Sequence, residues 1–375
     1  MTDTRPAPTG DLATPRRPAR LGAIGLGGWG QALALAYAGS PSLVLHGCHS
    51  RDEGRRAAFA ERFGCRPYPS QQELLADPEV DAVVIAVPND RHADVVVAAA
   101  AAGKHVFVDK PLAVTVADLA RIRRAVESSG VVLACGHTAR RLAGIRQLKR
   151  EIDGRSIGTV TSVEAVYDNE RGLTIEPDNW RADPAQCPGG PLTQIGIHHI
   201  DNLQYLLGPV RRVCALGRSP RPEVANQLQV ATVLEWDDAV GYLGTDWCTP
   251  GTFSIEVHGT GGRLRYDLDY AWWGDSARTD DHATLTRTVP VTGGGPAAGT
   301  ASSAAEVVPL GTGNHLLEEI EEFVGAVTGG PPVEVGLDAA EANAAVLLAA
   351  VRSLLGGRVV DVADVTETIR AATSS

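Results

Sequence analysis

The stretch that decides the fold is Leu21-Gly22-Ala23-Ile24-Gly25-Leu26-Gly27-Gly28-Trp29-Gly30. A short apolar strand over residues 21–25 runs into a Gly-x-Gly-x-x-Gly turn, and an Ala- and Leu-rich helix follows over residues 29–37. In such a turn the first glycine permits the tight reversal, the second lets backbone approach a pyrophosphate, and the third lets the helix pack closely on the strand. Free N–H groups at the start of the helix suit phosphates. We therefore predict a dinucleotide site formed by Gly25, Gly27, Gly28, Trp29 and Gly30.

The strand–turn–helix pattern continues beyond this turn. Strands are predicted at 43–48, 82–87, 106–108 and 131–135, with helices at 52–63, 93–102 and 117–128. The run Ala-Val-Val-Ile-Ala-Val at 82–87 is typical of a strand buried on both faces. Alternating elements of this length predict an α/β domain with a doubly wound parallel sheet. Such a sheet binds ligands at the carboxyl ends of its strands.

The second half of the chain has a different pattern. Strand-like segments lie at 159–167, 210–216, 227–235, 239–245 and 253–258, with helices near 192–207, 316–328 and 339–355. We predict an α+β domain with a large, mainly antiparallel open sheet. The predicted organisation is a disordered tail over residues 1–19, a dinucleotide-binding domain over 20–138, and a substrate-binding and oligomerisation domain over 139–375. The low-complexity segment 290–304 is predicted to be a mobile loop.

Composition excludes several classes of protein. The chain of 375 residues has 34 Lys and Arg against 45 Asp and Glu, a formal net charge of −11, which disfavours nucleic-acid partners. No apolar run approaches the ~20 residues of a membrane span. The six cysteines form no Cys-x-x-Cys pair, so a cysteine zinc site is disfavoured and buried thiols in a reducing, cytoplasmic compartment are expected. A twin-arginine export signal at Arg16-Arg17 is disfavoured because no convincing cleavage site follows.

The end of the second strand bears on the choice of cofactor. An NAD(H) site usually has an acid there for the ribose 2′-hydroxyl, but no acid occurs between Gly30 and Arg51. Ser50 and Arg51 instead suit a 2′-phosphate, which favours NADP(H). The alternative is NAD(H), with Arg51 in solvent and Asp52 on the ribose. Asp52 is expected instead to cap the following helix.

Two further motifs follow later strands, and a third opens a helix. They are Val87-Pro88-Asn89-Asp90-Arg91-His92, Asp109-Lys110-Pro111-Leu112, and the segment from Gly189 to Asp201 that contains Gln194 and His198. With the glycine turn, their order over about residues 20–365 resembles the Gfo/Idh/MocA family, named for glucose–fructose oxidoreductase and inositol dehydrogenase. Two departures stand out. Asp109 replaces the family's usual glutamate, and Gln194 replaces the aspartate that lies four residues before the histidine.

The resemblance implies roles for individual residues. Lys110 would stabilise an oxyanion and contact the nicotinamide ribose, and His198 would act as general acid and base. Gln194 would position the substrate without supplying negative charge, and Asp201 would orient the His198 ring. The remaining candidates are cofactor contacts at Pro88, Asn89, His92 and Asp109, and substrate contacts at His137, Trp180 and Arg181.

Other interpretations of these residues remain open. His198 would otherwise be a buried structural histidine, and His92 would simply cap the helix that follows it. A metal cluster of His198, His199 and Asp201 is disfavoured, because adjacent histidines on a helix diverge and hydride chemistry needs no metal. Arg140 and Arg141 would otherwise begin an exposed helix.

The predicted activity is hydride transfer between a nicotinamide cofactor and a secondary alcohol or ketone. By resemblance the substrate is a sugar, amino sugar, cyclitol or sugar nucleotide, and the protein forms a homodimer or homotetramer. Two alternatives are a noncatalytic dinucleotide-binding regulator, which Gln194 favours, and a redox-assisted enzyme that retains its cofactor.

Overall fold

The computed structural model describes residues 17–290 and 303–374. Most of the predicted tail, residues 1–16, and most of the predicted loop, residues 291–302, lie outside the described residues. The end of the tail prediction is wrong, because Ala19 is buried in the first strand and Arg17 donates two hydrogen bonds to the Asp81 carboxylate. Pro290 and Ser303, at the edges of the predicted loop, belong to strands.

The first sheet is parallel, with the order β3-β2-β1-β4-β5-β6 among the residues described. Its strands are β1 (Ala19–Ile24), β2 (Leu43–His49), β3 (Arg66–Pro67), β4 (Ala82–Ile85), β5 (His105–Asp109) and β6 (Leu133–Gly136). Its helices are α1 (Gly28–Tyr37), α2 (Glu53–Phe63), α3 (Gln71–Ala76), α4 (His92–Ala101) and α5 (Val116–Ser129). The predicted doubly wound sheet is confirmed, whereas the short β3 and α3 were not predicted.

Local signals explain where these helices begin and end. Asp52 accepts a hydrogen bond from the Arg55 backbone N–H, and Gly64 adopts the left-handed conformation after the last turn of α2. Asp52 therefore caps α2. Strand β4 is buried along its whole length, as its apolar run predicts.

The second sheet has the order β14-β13-β12-β11-β7-β10-β9-β8-β15 among the described strands. They are β7 (Val160–Asp168), β8 (Arg212–Arg218), β9 (Gln229–Glu235), β10 (Val240–Asp246), β11 (Thr252–Gly259), β12 (Gly262–Leu268), β13 (Ala283–Pro290), β14 (Ser303–Val307) and β15 (Val360–Asp361). Only the β7–β10 pair among these is parallel, so the predicted mainly antiparallel sheet is confirmed.

The second half of the chain contributes six α-helices among the described residues. They are α6 (Ala143–Asp153), α7 (Arg171–Thr174), α8 (Ile197–Leu207), α9 (His315–Val327), α10 (Leu337–Gly356) and α11 (Val362–Ser374). Helix α10 is long and apolar enough to cross a membrane by length and composition, which corrects the expectation that no such segment exists. About two thirds of its apolar window is buried in the protein, as in a core helix.

Helix α9 crosses from the second half of the chain to the first sheet. Leu316, Ile320 and Phe323 share a hydrophobic cluster with residues of β1 and α1, and the rings of Phe107 and Phe323 lie 5.9 Å apart. This packing brings the polar side of α9 to the end of the parallel sheet. The division of the chain at residue 138 stays a prediction.

Candidate active site

The glycine turn after β1 opens into a cleft of about 580 Å³. Gly25 has a φ of +94°, and a Cβ there would lie 2.4 Å from the Ala86 carbonyl oxygen. A Cβ on Gly30 would lie 2.1 Å from the Gly25 carbonyl oxygen, so close packing excludes a side chain there as well. By contrast, a Cβ on Gly27 or Gly28 would meet nothing within 4 Å. The two inner glycines therefore leave free space beside the start of α1.

This free space fits a dinucleotide phosphate group. Gly27 caps α1 without any side-chain hydrogen bond, so the first N–H groups of the helix have no side-chain cap. They would donate to a pyrophosphate at the positive end of the helix dipole. Four of the five predicted residues, Gly25, Gly27, Gly28 and Trp29, line the cleft, whereas Gly30 packs against the Gly25 backbone. The turn therefore fits the dinucleotide pyrophosphate that its glycine motif predicts.

The end of the cleft at β2 carries two cationic side chains. Ser50, Arg51 and Arg55 line it, together with Gln71. Asp52 caps α2 through its Oδ1 and is not among the residues that line the cleft. Arg55 was not singled out from the sequence. The available signal was its position in the first turn of α2, four residues after Arg51.

The second motif divides into cleft residues and a structural residue. Pro88 and Asn89 line the cleft, and the buried Nδ2 of Asn89 has no hydrogen-bond partner. The prediction that His92 lines the cofactor cleft is wrong. Its ring is fully buried, with Nδ1 2.8 Å from the Pro111 carbonyl oxygen and Nε2 3.0 Å from that of Val87. Through these hydrogen bonds, His92 links the loop that carries Asn89 to the loop that carries Lys110.

Lys110 connects the cleft to the next motif. Its Nζ donates a hydrogen bond of 2.8 Å to the Gln194 carbonyl oxygen. Burial lowers the pKa of Lys110, and the neighbouring Asp109 opposes that shift. Burial also raises the pKa of Asp109, which the Lys110 ammonium partly offsets. Asp109 and Gln194 line the dinucleotide cleft, whereas Lys110 and His198 lie behind this lining.

Gln194 lies on a π-helical turn, Leu192–Gly196, that precedes α8. Its Oε1 accepts a hydrogen bond of 3.2 Å from Arg181 Nε. The Arg181 guanidinium also stacks on the Trp180 ring, 4.2 Å from the ring centroid. Trp180, Arg181 and Gln194 therefore form one wall of the cleft, as their predicted role in substrate binding requires.

His198 lies in an aromatic pocket at the start of α8. The ring is buried, its Nδ1 has no hydrogen-bond partner, and the rings of Tyr167 and Trp273 lie 5.8 and 5.3 Å away. Burial lowers the pKa of His198 well below its usual range, so the ring is neutral at pH 7. The adjacent His199 bonds the Val166 carbonyl oxygen and is structural.

The predicted role of Asp201 in orienting His198 is wrong. The buried Asp201 carboxylate accepts two hydrogen bonds from Arg140, at 2.9 and 2.5 Å, and one from Asn343. His137 belongs to the same network, with its Nδ1 3.8 Å from Asp201 and its Nε2 3.4 Å from Asn343 Nδ2. Burial lowers the pKa of His137 to about 4. Arg140 is therefore an internal ion-pair partner and not part of an exposed helix.

Two buried groups near this site were missed because they come from α9. His315 has no partner for either ring nitrogen, and Glu319, one turn later, has an unpaired Oε2. His315 packs 5.8 Å from Trp273, which in turn contacts His198. Burial raises the pKa of Glu319 well above its usual range. The sequence signal was a polar side chain on the apolar face of the helix.

Within residues 17–290 and 303–374, no group of three or more His, Cys, Asp or Glu side chains is placed to hold a metal ion. His198, His199 and Asp201 point to different partners, as described above.

Both halves of the chain match models of known protein families. Residues 19–137 match the family described as "Oxidoreductase family, NAD-binding Rossmann fold", and residues 145–265 match the "GFO/IDH/MocA C-terminal domain". A solved structure of a provisionally assigned NADPH-dependent oxidoreductase from Desulfitobacterium hafniense has a TM-score of 0.88 and 42% identity, covering 93% of this chain and 99% of that one.

Curated relatives are more distant. Levoglucosan dehydrogenase from Pseudarthrobacter phenanthrenivorans is 28% identical over 66% of this chain and 73% of its own length. D-xylose 1-dehydrogenase (NADP(+)) 2 from Haloferax volcanii is 33% identical over 57% of this chain and 65% of its own length. The chain described here belongs to the Gfo/Idh/MocA family of oxidoreductases.

Proposed function

We propose that this oxidoreductase transfers a hydride to or from a secondary alcohol or ketone of a sugar, amino sugar, cyclitol or sugar nucleotide. One observation carries the proposal. The 2.8 Å bond from Lys110 Nζ to the Gln194 carbonyl oxygen joins the dinucleotide cleft to the helix that bears His198. This bond supports a site in which Lys110 and His198 act next to the cofactor cleft.

The side chains suit the two proton and charge tasks of this reaction. The bound nicotinamide would supply the hydride acceptor or donor. The Lys110 ammonium would stabilise negative charge on the substrate oxygen. A neutral His198 ring would accept the hydroxyl proton during oxidation, and its protonated form would return a proton during reduction.

The cofactor we propose is NADP(H), with NAD(H) as the alternative. Support comes from the cationic end of the cleft, where Arg51 and Arg55 line the wall beside Ser50. Guanidinium groups bind phosphate through several hydrogen bonds at once. The capping role of Asp52 removes the carboxylate nearest to this position from ribose binding.

Replacing Lys110 with alanine tests the proposed activity. We expect turnover, followed by the absorbance of the reduced nicotinamide with a panel of polyols and sugars, to fall about 10²–10³-fold. Cofactor affinity should change little. Lys149→Ala is the matched control, because Lys149 pairs with Asp153 on α6, away from the cleft. Near wild-type turnover by Lys110→Ala would rule out its catalytic role.

We further propose a cytoplasmic homodimer or homotetramer. The uncovered face of the large sheet exposes apolar side chains on β8, β9 and β10, namely Leu216, Val233, Val240 and Tyr242. An exposed apolar patch of this kind favours association of two copies. All six cysteines are free thiols, which suits a reducing compartment. Light scattering after size exclusion tests the assembly, and a monomer at micromolar concentration would contradict it.

A further inference from the structure

We infer that the substrate carries an anionic group, a carboxylate or a phosphate, bound by Arg181 beside Lys110. The inference rests on the proposed function and narrows its substrate class. It concerns the same cleft, at the wall formed by Trp180, Arg181 and Gln194.

Arg181 is a partly buried cation with no anionic partner. Within residues 17–290 and 303–374, its guanidinium forms no ion pair, and its one side-chain hydrogen bond goes to the neutral Gln194 amide. Its flat face is covered by Trp180. Burial and the nearby Arg171 lower the pKa of Arg181 to about 10. Removing a guanidinium from water without a counter-charge is unfavourable, so this side chain is suited to an anion.

Two more cations approach the same point. Arg171 and Arg181 both lower the pKa of Lys110, and all three oppose the effect of burial on the Cys187 thiol. The Asp109 carboxylate favours the charged forms of both Lys110 and Arg181, and burial raises the pKa of Asp109 itself. Lys110 Nζ and Arg181 Nε both donate to Gln194, so these two cations lie close together.

The residue at position 194 explains the excess of positive charge. A carboxylate oxygen in place of Gln194 Oε1 would lie 3.2 Å from Arg181 Nε and would neutralise it within the protein. Gln194 preserves the hydrogen bond but supplies no charge. The missing charge is then best supplied by the ligand. A neutral polyol would leave the guanidinium partly desolvated and uncompensated.

The proposed 2′-phosphate position does not account for these cations. The proposed pyrophosphate position lies at the start of α1, after β1, and the proposed 2′-phosphate position lies after β2. Asp109 ends β5, which is three strands away from β2 in the sheet, or about 14 Å at the usual strand spacing. Arg181 lies beside Lys110, the residue after Asp109, because both side chains donate to Gln194.

The test uses the full chain loaded with its oxidised cofactor. Binding is measured by calorimetry with D-glucose, D-glucuronate and D-glucose 6-phosphate, and with myo-inositol and myo-inositol 1-phosphate. We expect at least one anionic probe to bind about tenfold more tightly than its neutral counterpart, because a hydrogen bond to a charged group is stronger than one to a neutral group. The carboxylate and phosphate arms identify which anion is preferred.

Three variants test whether Arg181 and Gln194 cause this preference. Arg181→Gln and Gln194→Asp should each abolish the roughly tenfold advantage of the anionic probe. Gln194→Asn, the matched neutral control, should preserve it. Equal binding of neutral and anionic probes, no binding of any anionic probe, or an advantage that survives in Arg181→Gln would each overturn the inference. Weaker cofactor binding by Arg181→Gln would assign the guanidinium to the cofactor and would also overturn it.

The same measurements separate this inference from the proposed function. Turnover of a neutral sugar without anion binding would leave the oxidoreductase proposal standing and remove the anion site. Anion binding that depends on Arg181, without turnover of any probe, would support the site and count against the proposed reaction.

Discussion

Replacing Asp201 with asparagine distinguishes the two roles proposed for this carboxylate. The sequence alone places Asp201 three residues after His198, where it would orient the imidazole. The structure instead places the carboxylate between Arg140 and Asn343, without a bond to His198. The substitution is therefore expected to reduce stability strongly and to change the chemistry of His198 little.

The expected magnitude follows from burial. Asp201 is fully buried and Arg140 is 8% exposed, so the variant leaves an internal guanidinium without its main partner. Breaking a buried ion pair costs about 3–5 kcal/mol. Glu334 remains 3.7 Å from Arg140 Nη1, which favours the lower end of that range. For 375 residues unfolding together, a loss of about 3 kcal/mol corresponds to a fall in the melting temperature of about 4 °C.

Urea unfolding and the pH profile of kcat measure these two effects. The expected result is a lower free energy of unfolding, with kcat within about threefold of the wild type at a temperature where the variant is folded. If Asp201→Asn does not fold, Asn343→Ala is the milder variant, since it removes one hydrogen bond to Asp201. Unchanged stability combined with a shifted pH profile would show that Asp201 acts through His198, and our assignment would be wrong.

Three further predictions concern the cofactor cleft. In fluorescence titrations, Arg51→Ala or Arg55→Ala should weaken NADPH binding about tenfold and leave the affinity for NADH nearly unchanged, because a bond to the 2′-phosphate is lost. Equal effects on the binding of both cofactors would contradict the NADP(H) proposal. Gly27→Ala should fold normally but lose dinucleotide affinity, whereas Gly30→Ala should lose stability, because its Cβ would lie 2.1 Å from the Gly25 carbonyl oxygen. Thermal melts with and without cofactor separate these two outcomes. Equal melting temperatures for the two apo variants would refute the comparison. Because the pKa of Lys110 is lowered from 10.5, its ammonium loses the proton at a lower pH than that of a free lysine. We therefore expect kcat to fall on the alkaline side below pH 10.5. In Lys110→Arg, if that variant is active, this fall should move to higher pH.

Local sequence patterns were sufficient for the parallel sheet and for the residues on its loops. The glycine turn, the Asp52 cap and the loops carrying Asn89 and Lys110 follow directly from strand ends, where a few neighbouring residues determine the backbone. These loops meet because the carboxyl ends of parallel strands share one edge of the sheet. The cofactor cleft was therefore predictable from its motifs.

Partners distant in sequence were not predictable in the same way. His92 was assigned to the cleft because it adjoins Asn89, but its ring turns inward to two carbonyl oxygens. Asp201 was assigned to His198 because they are near neighbours on a helix, whereas its partner Arg140 lies 61 residues earlier. Helical spacing indicates which side chains share a face, but not what packs against that face.

The sequence by itself determined the fold class, the dinucleotide turn and the order of the motifs, because each depends on short-range backbone preferences. Only the tertiary structure decided which charges are paired. Helix α9 brings His315 to the Trp273 ring that contacts His198, and Arg181 meets a neutral Gln194 in place of an acid. These contacts depend on how distant helices and strands pack together, and that packing determines which buried charges must find their partner in a ligand.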